Sequence, residues 1–291
     1  MRHPPVTPGP GLDRARPPAL VAVAHGSTNP RAAAAVTDLM AFTAGRAARA
    51  GRSGLLVRAA FLGHALPTLP DVLRALDGGP AAGEPAEPGG WPEPAGRREA
   101  VVLPLLLTGA YHSDTDLPAL LREARGRLPG LRISYGRPLG PHPGLLRALD
   151  LRLAQAMSQA GMTGRPADTA VVLAAAGSSR PMSNAAVARV AAGWQRARGW
   201  RAVVPAYASA GSPGPGQAVA GLLRDGTPRV VVATYLLAPG VFADQVRDQA
   251  FAAGARAVSA PLGALPEVAD VLLDRYREAV SLEVGDRRRY A

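Results

Sequence analysis

Residues 19–36, ALVAVAHGSTNPRAAAAV, hold the pattern on which the fold turns. Six apolar residues read as a short buried strand. His25, Gly26 and Ser27 follow as a turn, and Pro30 stands where a helix takes its first residue before an alanine-rich run. The same alternation continues outward. Runs at 55–62 (LLVRAAFL), 100–107 (AVVLPLLL) and 131–136 (LRISYG) read as further strands, while 30–50, 68–77, 113–128 and 143–159 have helical spacing. Asp114 and Asp116 suit the positive end of the third helix. In the second half, strands are expected at 169–175, 201–207, 229–237 and 256–259, with helices after Pro181, Pro215, Gly240 and Leu265. Strand alternating with helix requires a parallel sheet covered on both faces. The expected class is therefore α/β: two similar domains, each a four-stranded parallel sheet flanked by helices in a three-layer, flavodoxin- or Rossmann-type arrangement.

The two halves are copies. AHGS (24–27) matches AAGS (175–178), LLTGAYHSD (106–114) matches LLAPGVFAD (236–244), and PLGPHP (138–143) matches PLGALP (261–266). Between the first two pairs the offset falls from 151 residues to 130, a difference equal to the length of the Pro- and Gly-rich stretch 78–98. That stretch is an insertion in the first copy. The expected organisation is a first, catalytic domain over 19–160, a looser junction GMTGRPAD at 161–168, and a degenerate second domain over 169–280. The segments 1–18, 78–98 and 285–291 read as solvated, disordered linkers and tails.

Substitutions between the copies carry the functional signal. His25 becomes Ala176, His112 becomes Phe242 and His142 becomes Leu265, and all five histidines precede residue 143. One active site per chain is expected, in the first copy, with the second as scaffold. Ligands of open parallel sheets bind beyond the carboxyl ends of the strands, where the strand order reverses. With the order 2-1-3-4, the loops after the first and third strands, bearing His25 and His112, share one crevice. Two neutral imidazoles there suit a divalent first-row metal, and either could serve as a general base near neutral pH. The turn at Gly26-Ser27, and its counterpart from Gly177 to Arg180, could offer N–H groups to an anion or be an ordinary strand-to-helix turn. His3 reads as a bystander, and His142, in a Pro-flanked turn, as structural.

Composition narrows the classes. All 33 basic residues are Arg, the net charge is +11, and there is no Cys, so disulfides and thiolate chemistry are excluded. Without Lys no Walker A loop is possible, and neither a GxGxxG, a GxSxG nor an HExxH motif occurs. The charge favours an anionic partner. The arginines are scattered, with only four Phe and three Trp for base stacking, so a small polyanion is expected in place of nucleic acid. No apolar run reaches the ~20 residues a membrane span needs, and the first eighteen residues lack an export signal. No membrane partner and a cytoplasmic location are expected.

The series AHGSTNPRAAAAV, AAFLGHALPTL, VVLPLLLTGAYHSDTDLPALL and RPLGPHPGLLRAL resembles, in order and spacing, the class II chelatases of the CbiX and SirB type. The resemblance covers residues 19–160, and 169–280 as a degenerate copy. Its most specific marks are the HGS turn and the Gly-x-x-His at Gly109 and His112. It implies a chelatase-like fold and a lyase that inserts Fe2+ or Co2+ into sirohydrochlorin, for siroheme or cobalamin biosynthesis. The alternative is a non-catalytic carrier of metal or tetrapyrrole. It implies His25 as metal ligand and proton acceptor, His112 as its partner, and Gly26, Ser27, Thr108, Gly109 and Ala110 as substrate-binding wall. The metal is substrate, no organic cofactor is implied, and closure of the two lobes would hold the anionic macrocycle bent. Fused copies suggest a monomer, with a homodimer the alternative. One departure stands out. Relatives carry a Glu after Phe-Leu, whereas here Phe61-Leu62 leads into Gly63-His64, which raises His64 as a replacement ligand or base.

Overall fold

The computed structural model describes residues 17–78, 99–108, 116–163 and 165–289. His3, Gly109, Ala110, His112 and residues 79–98 of the insertion lie outside the described residues, whereas residues 285–289, expected as a disordered tail, are helical. In the first half the order is β1 (Ala19–Ala24), α1 (Pro30–Arg49), β2 (Val57–Phe61), α2 (Leu69–Leu76), β3 (Glu99–Pro104), α3 (Asp116–Arg127), β4 (Arg132–Tyr135) and α4 (Pro143–Gln159). In the second it is β5 (Ala170–Ala175), α5 (Pro181–Arg198), β6 (Ala202–Tyr207), α6 (Pro215–Arg224), β7 (Val230–Tyr235), α7 (Val241–Ala252), β8 (Ala257–Val258) and α8 (Pro266–Arg289). Two parallel four-stranded sheets result, β2-β1-β3-β4 and β6-β5-β7-β8. This is the α/β class and the strand order expected. No described helix is long and apolar enough to cross a membrane.

Strand periodicity assigns each face. In β1, Ala19, Val21 and Val23 point outward, where Leu69, Val72, Leu73 and Leu76 of α2 and Leu117 and Leu121 of α3 cover them. Leu20 and Ala22 point inward. In β5, Val172 and Ala174 face α6 and α7 through Ala218, Val219, Val246 and Ala250, while Val171 and Leu173 face inward. The inner faces of both sheets share a single core, filled by Leu39 of α1, Leu149 and Leu153 of α4, Trp194 of α5 and Leu272 of α8.

The last helix of each copy crosses over. α8 packs on α1 and on β3 and β4 of the first sheet, while α4 packs on β7 and β8 of the second. The crossing is fastened by reciprocal arginines at matching positions. Arg152 of α4 donates through Nε and Nη2 to the Leu262 carbonyl at 3.1 and 2.9 Å. Arg275 of α8 donates to the Leu139 and Pro141 carbonyls at 3.3 and 2.9 Å. Arg46 grips Asp270 with two 2.7 Å bonds between α1 and α8. Asp150 accepts from Trp194 Nε1 and Arg198 Nε at 2.8 Å between α4 and α5. The half-exposed ion pairs add at most ~1 kcal/mol each. The shared core is the larger contribution, at roughly 1.5–3 kcal/mol for each large apolar side chain buried. Halves interlocked in this way cannot part without exposing that core.

Candidate functional site

β1 ends at Ala24, and the chain turns at once. Gly26 has φ +93°, and a Cβ there would lie 1.6 Å from the Gly63 carbonyl oxygen. The loop after β2 therefore closes onto this turn, with Leu62 N–H donating to Ala24 O at 3.0 Å and Gly63 N–H to His25 O at 3.1 Å. Ser27 Oγ accepts from Asn29 N at 3.1 Å, and Asn29 Oδ1, capping α1, accepts from Arg31 N at 3.0 Å. Of the first-turn N–H groups, that of Arg31 is thus taken by a side chain and that of Ala32 by the Asn29 carbonyl at 3.0 Å. In the second copy Ser178 N donates to Asn184 Oδ1, and Arg180 N to Ser178 Oγ, at 3.0 and 3.1 Å. In both turns these bonds occupy N–H groups that an anion could otherwise use.

Held by this turn, His25 is exposed at the rim of a cleft of about 340 Å³. The volume lies at the small end of the usual range for small-molecule sites, ~300–1,000 Å³. Ala24, Gly26 and Ser27 line it beside His25, and Ala33 and Val36 of α1, Phe61 and Leu105 form its floor. The opposite wall is the loop from Leu236 to Ala243, between β7 and the start of α7. Arg31 Nη2 meets Asp244 Oδ2 at 2.9 Å, tying α1 to α7. The first copy's strand ends thus face a loop of the second copy, the same loop whose Phe242 replaces His112 in the repeat.

The sequence-derived residues are distributed unevenly. His25, Gly26 and Ser27 come together in the cleft; Thr108 lies outside its lining, and Gly109, Ala110 and His112 lie outside the described residues. His64 sits exposed in the neighbouring loop with φ +58° and does not line the cleft. A Cβ on Gly63 would meet nothing within 4 Å, so no steric conflict accounts for a glycine at this position. Among the described residues there is no group of three or more His, Cys, Asp or Glu able to hold a metal ion. The second-copy wall escaped sequence reasoning. Its signal was the match of 236–244 to 106–114, which reads as a loop on an equivalent strand end.

A larger cavity of about 600 Å³ lies at the junction of α4 and α5, lined among others by His142, Arg180, Arg189 and Tyr235. Two of its polar groups have structural duties. Tyr235 OH donates to Leu107 O at 3.0 Å, and burial pushes its phenol pKa up. His142 caps α4, its Nδ1 accepting from Gly144 N at 3.0 Å. Burial, then the Arg275 guanidinium, lowers its pKa, while Asp274 and Glu278 oppose. The folded state thus favours the neutral ring. Its contribution is complete above the unfolded value near 6.5 and is lost as pH falls through the depressed folded value. Urea midpoints are expected to drop more steeply from pH 7.5 to 5 in the wild type than in His142→Asn, which keeps a capping oxygen without the titration. Parallel profiles would refute the assignment.

The CbiX family model matches residues 92–156 and 170–279. The chain is 28% identical over 153 residues to the sirohydrochlorin cobaltochelatase of Priestia megaterium, covering 53% of this chain but only 49% of that protein, about half its length. It is 28% identical over 195 residues to the sirohydrochlorin ferrochelatase of Bacillus subtilis, covering 65% of this chain and 72% of that one. The solved structure of SirB from Bacillus subtilis with Fe3+ superposes with a TM-score of 0.72 at 25% identity, over 92% of this chain and 98% of that chain. A family model spanning the later part of the first copy and nearly all of the second, on a fold shared from the first sheet to the last, makes this chain a member of the CbiX family.

Proposed function

We propose that this protein is a sirohydrochlorin chelatase, inserting Fe2+ or Co2+ into the tetrapyrrole. The observation that carries the reading is His25, held by a two-sided backbone lock at the carboxyl end of β1 and facing a mainly apolar cleft, in a chain of the CbiX family. Insertion requires the hydrated ion to shed water and two pyrrole nitrogens to lose protons. A neutral imidazole can replace a departing water and, once the ion has passed to the ring, accept a proton. His25 has both roles, with His112 as its partner and Gly26, Ser27, Gly109 and Ala110 as substrate-binding wall. Contact with the cleft walls would hold the reacting part of the ring in place. The excess of arginine over acidic residues, a net charge of +11, favours attraction of the ring's carboxylates. Iron would place the protein in siroheme synthesis and cobalt in cobalamin synthesis, in the cytoplasm in either case. The two relatives carry opposite metal names.

The test is steady-state insertion followed by absorbance, run side by side with both ions. Many turnovers per chain are expected with at least one of them. A single stoichiometric event with each would instead make the protein a carrier, and no spectral change at all would sink the reading.

A further inference from the structure

We infer that Phe242, with Val241 beside it, is the platform on which one face of the planar substrate rests, making the second copy a specificity-determining part of the first copy's site. This deepens the chelatase reading and rests on it. Phe242 is 44% exposed and Val241 74%, two adjacent apolar side chains at the start of α7, and both line the cleft that His25 rims. Apolar groups left uncovered at the mouth of a cleft await a partner. The Arg31–Asp244 bond fastens the first turn of α7 to the first turn of α1, so the aromatic ring and the imidazole turn are held by one bridge. The remaining lining is largely apolar, which suits the face of a conjugated macrocycle.

The arrangement changes the meaning of the substitution between copies. At the place where the first copy has His112, the second copy's loop lines the cleft of the first copy. An aromatic ring there gives the substrate a dry face opposite the imidazole. A quadrupolar contact of this kind, together with the buried area, accounts for about a tenfold to thirtyfold change in affinity.

The experiment titrates metal-free sirohydrochlorin, by absorbance, into the full-length wild type, Phe242→Ala, Phe242→Tyr and Val241→Ser, with Co2+ binding measured separately by calorimetry. Phe242→Ala is expected to raise the Kd for the ring tenfold or more and to raise KM with kcat little changed. Phe242→Tyr should bind as the wild type does, and Val241→Ser should weaken binding by a smaller factor. Co2+ affinity should be the same in all four. Both side chains are exposed, so far-ultraviolet circular dichroism should match throughout. Equal Kd for wild type and Phe242→Ala overturns the inference alone. So does a loss of Co2+ affinity in parallel with that of the ring, which would mark a general disturbance of the cleft. A wild type that binds the ring with the expected variant pattern but never turns over overturns the chelatase reading and supports the platform; a wild type that binds no ring overturns both.

Discussion

His25→Ala is expected to lower the insertion rate by ~10²–10⁴-fold, the range for removal of a positioned acid–base group, with little effect on folding. The side chain is exposed at the cleft rim, and the hydrogen bond that locks the turn uses the His25 carbonyl, which alanine retains. No core contact is lost, so the thermal midpoint should move by only a degree or two. The comparison that separates ligation from positioning is Ser27→Ala. Its hydroxyl accepts from Asn29 N–H and stiffens the same turn, so its loss should cost several-fold in rate, far less than loss of the ring. The pH profile gives an independent readout. If the imidazole receives metal and proton, the wild-type rate should fall on the acid side as the ring becomes protonated, and His25→Ala should have a flattened acid limb. Full insertion rates in His25→Ala would remove this residue from the mechanism, and with it the reason for locating the site in the first copy.

Much of the architecture is legible from short-range pattern. Pro30, Pro143, Pro181, Pro215 and Pro266 each mark a helix start, and the two repeated turns mark the ends of β1 and β5. What the pattern leaves open is which surface an apolar stripe covers. Leu145, Ala148, Leu149 and Leu153 of α4 have the same spacing whether the helix lies on its own sheet or its neighbour's, so the exchange of α4 and α8 is invisible until the carbonyls gripped by Arg152 and Arg275 are seen. The same ambiguity hides the second copy's part in the cleft. Aligning copies pairs Phe242 with His112 by position in the chain, but the fold puts Phe242 in the same cleft as His25. The substitution then reads as loss of a ligand when its surroundings make it gain of a wall. His142 was open to reading as structural because a residue between two prolines before a helix is in capping position, and the Gly144 N–H confirms that duty.

Gly26→Ala should damage both stability and activity, and its counterpart in the second copy separates the two. At φ +93° an alanine at position 26 sits outside the regions open to L-residues, at a cost of about 1–3 kcal/mol. Its Cβ would also fall 1.6 Å from Gly63 O and 2.8 Å from Gly63 C, so either the loop after β2 or the His25 turn must shift by more than an ångström. A displacement of that size at a reacting group costs on the order of 10²-fold in rate. Gly51→Ala calibrates the first effect, since Gly51 has φ +76° with nothing within 4 Å, so that variant should lose about 1 kcal/mol and no activity. Gly177 has φ +86°, and a Cβ there would fall 2.4 Å from the Ala210 carbonyl oxygen, the equivalent lock in the second copy. Gly177→Ala should therefore unfold at lower urea, as Gly26→Ala does, yet keep its insertion rate per folded molecule, because the turn it distorts carries Ala176 where the first copy carries His25. Equal loss of activity in both variants would show that the second copy's turn also takes part in catalysis, and that the asymmetry between the copies lies elsewhere than in their histidines.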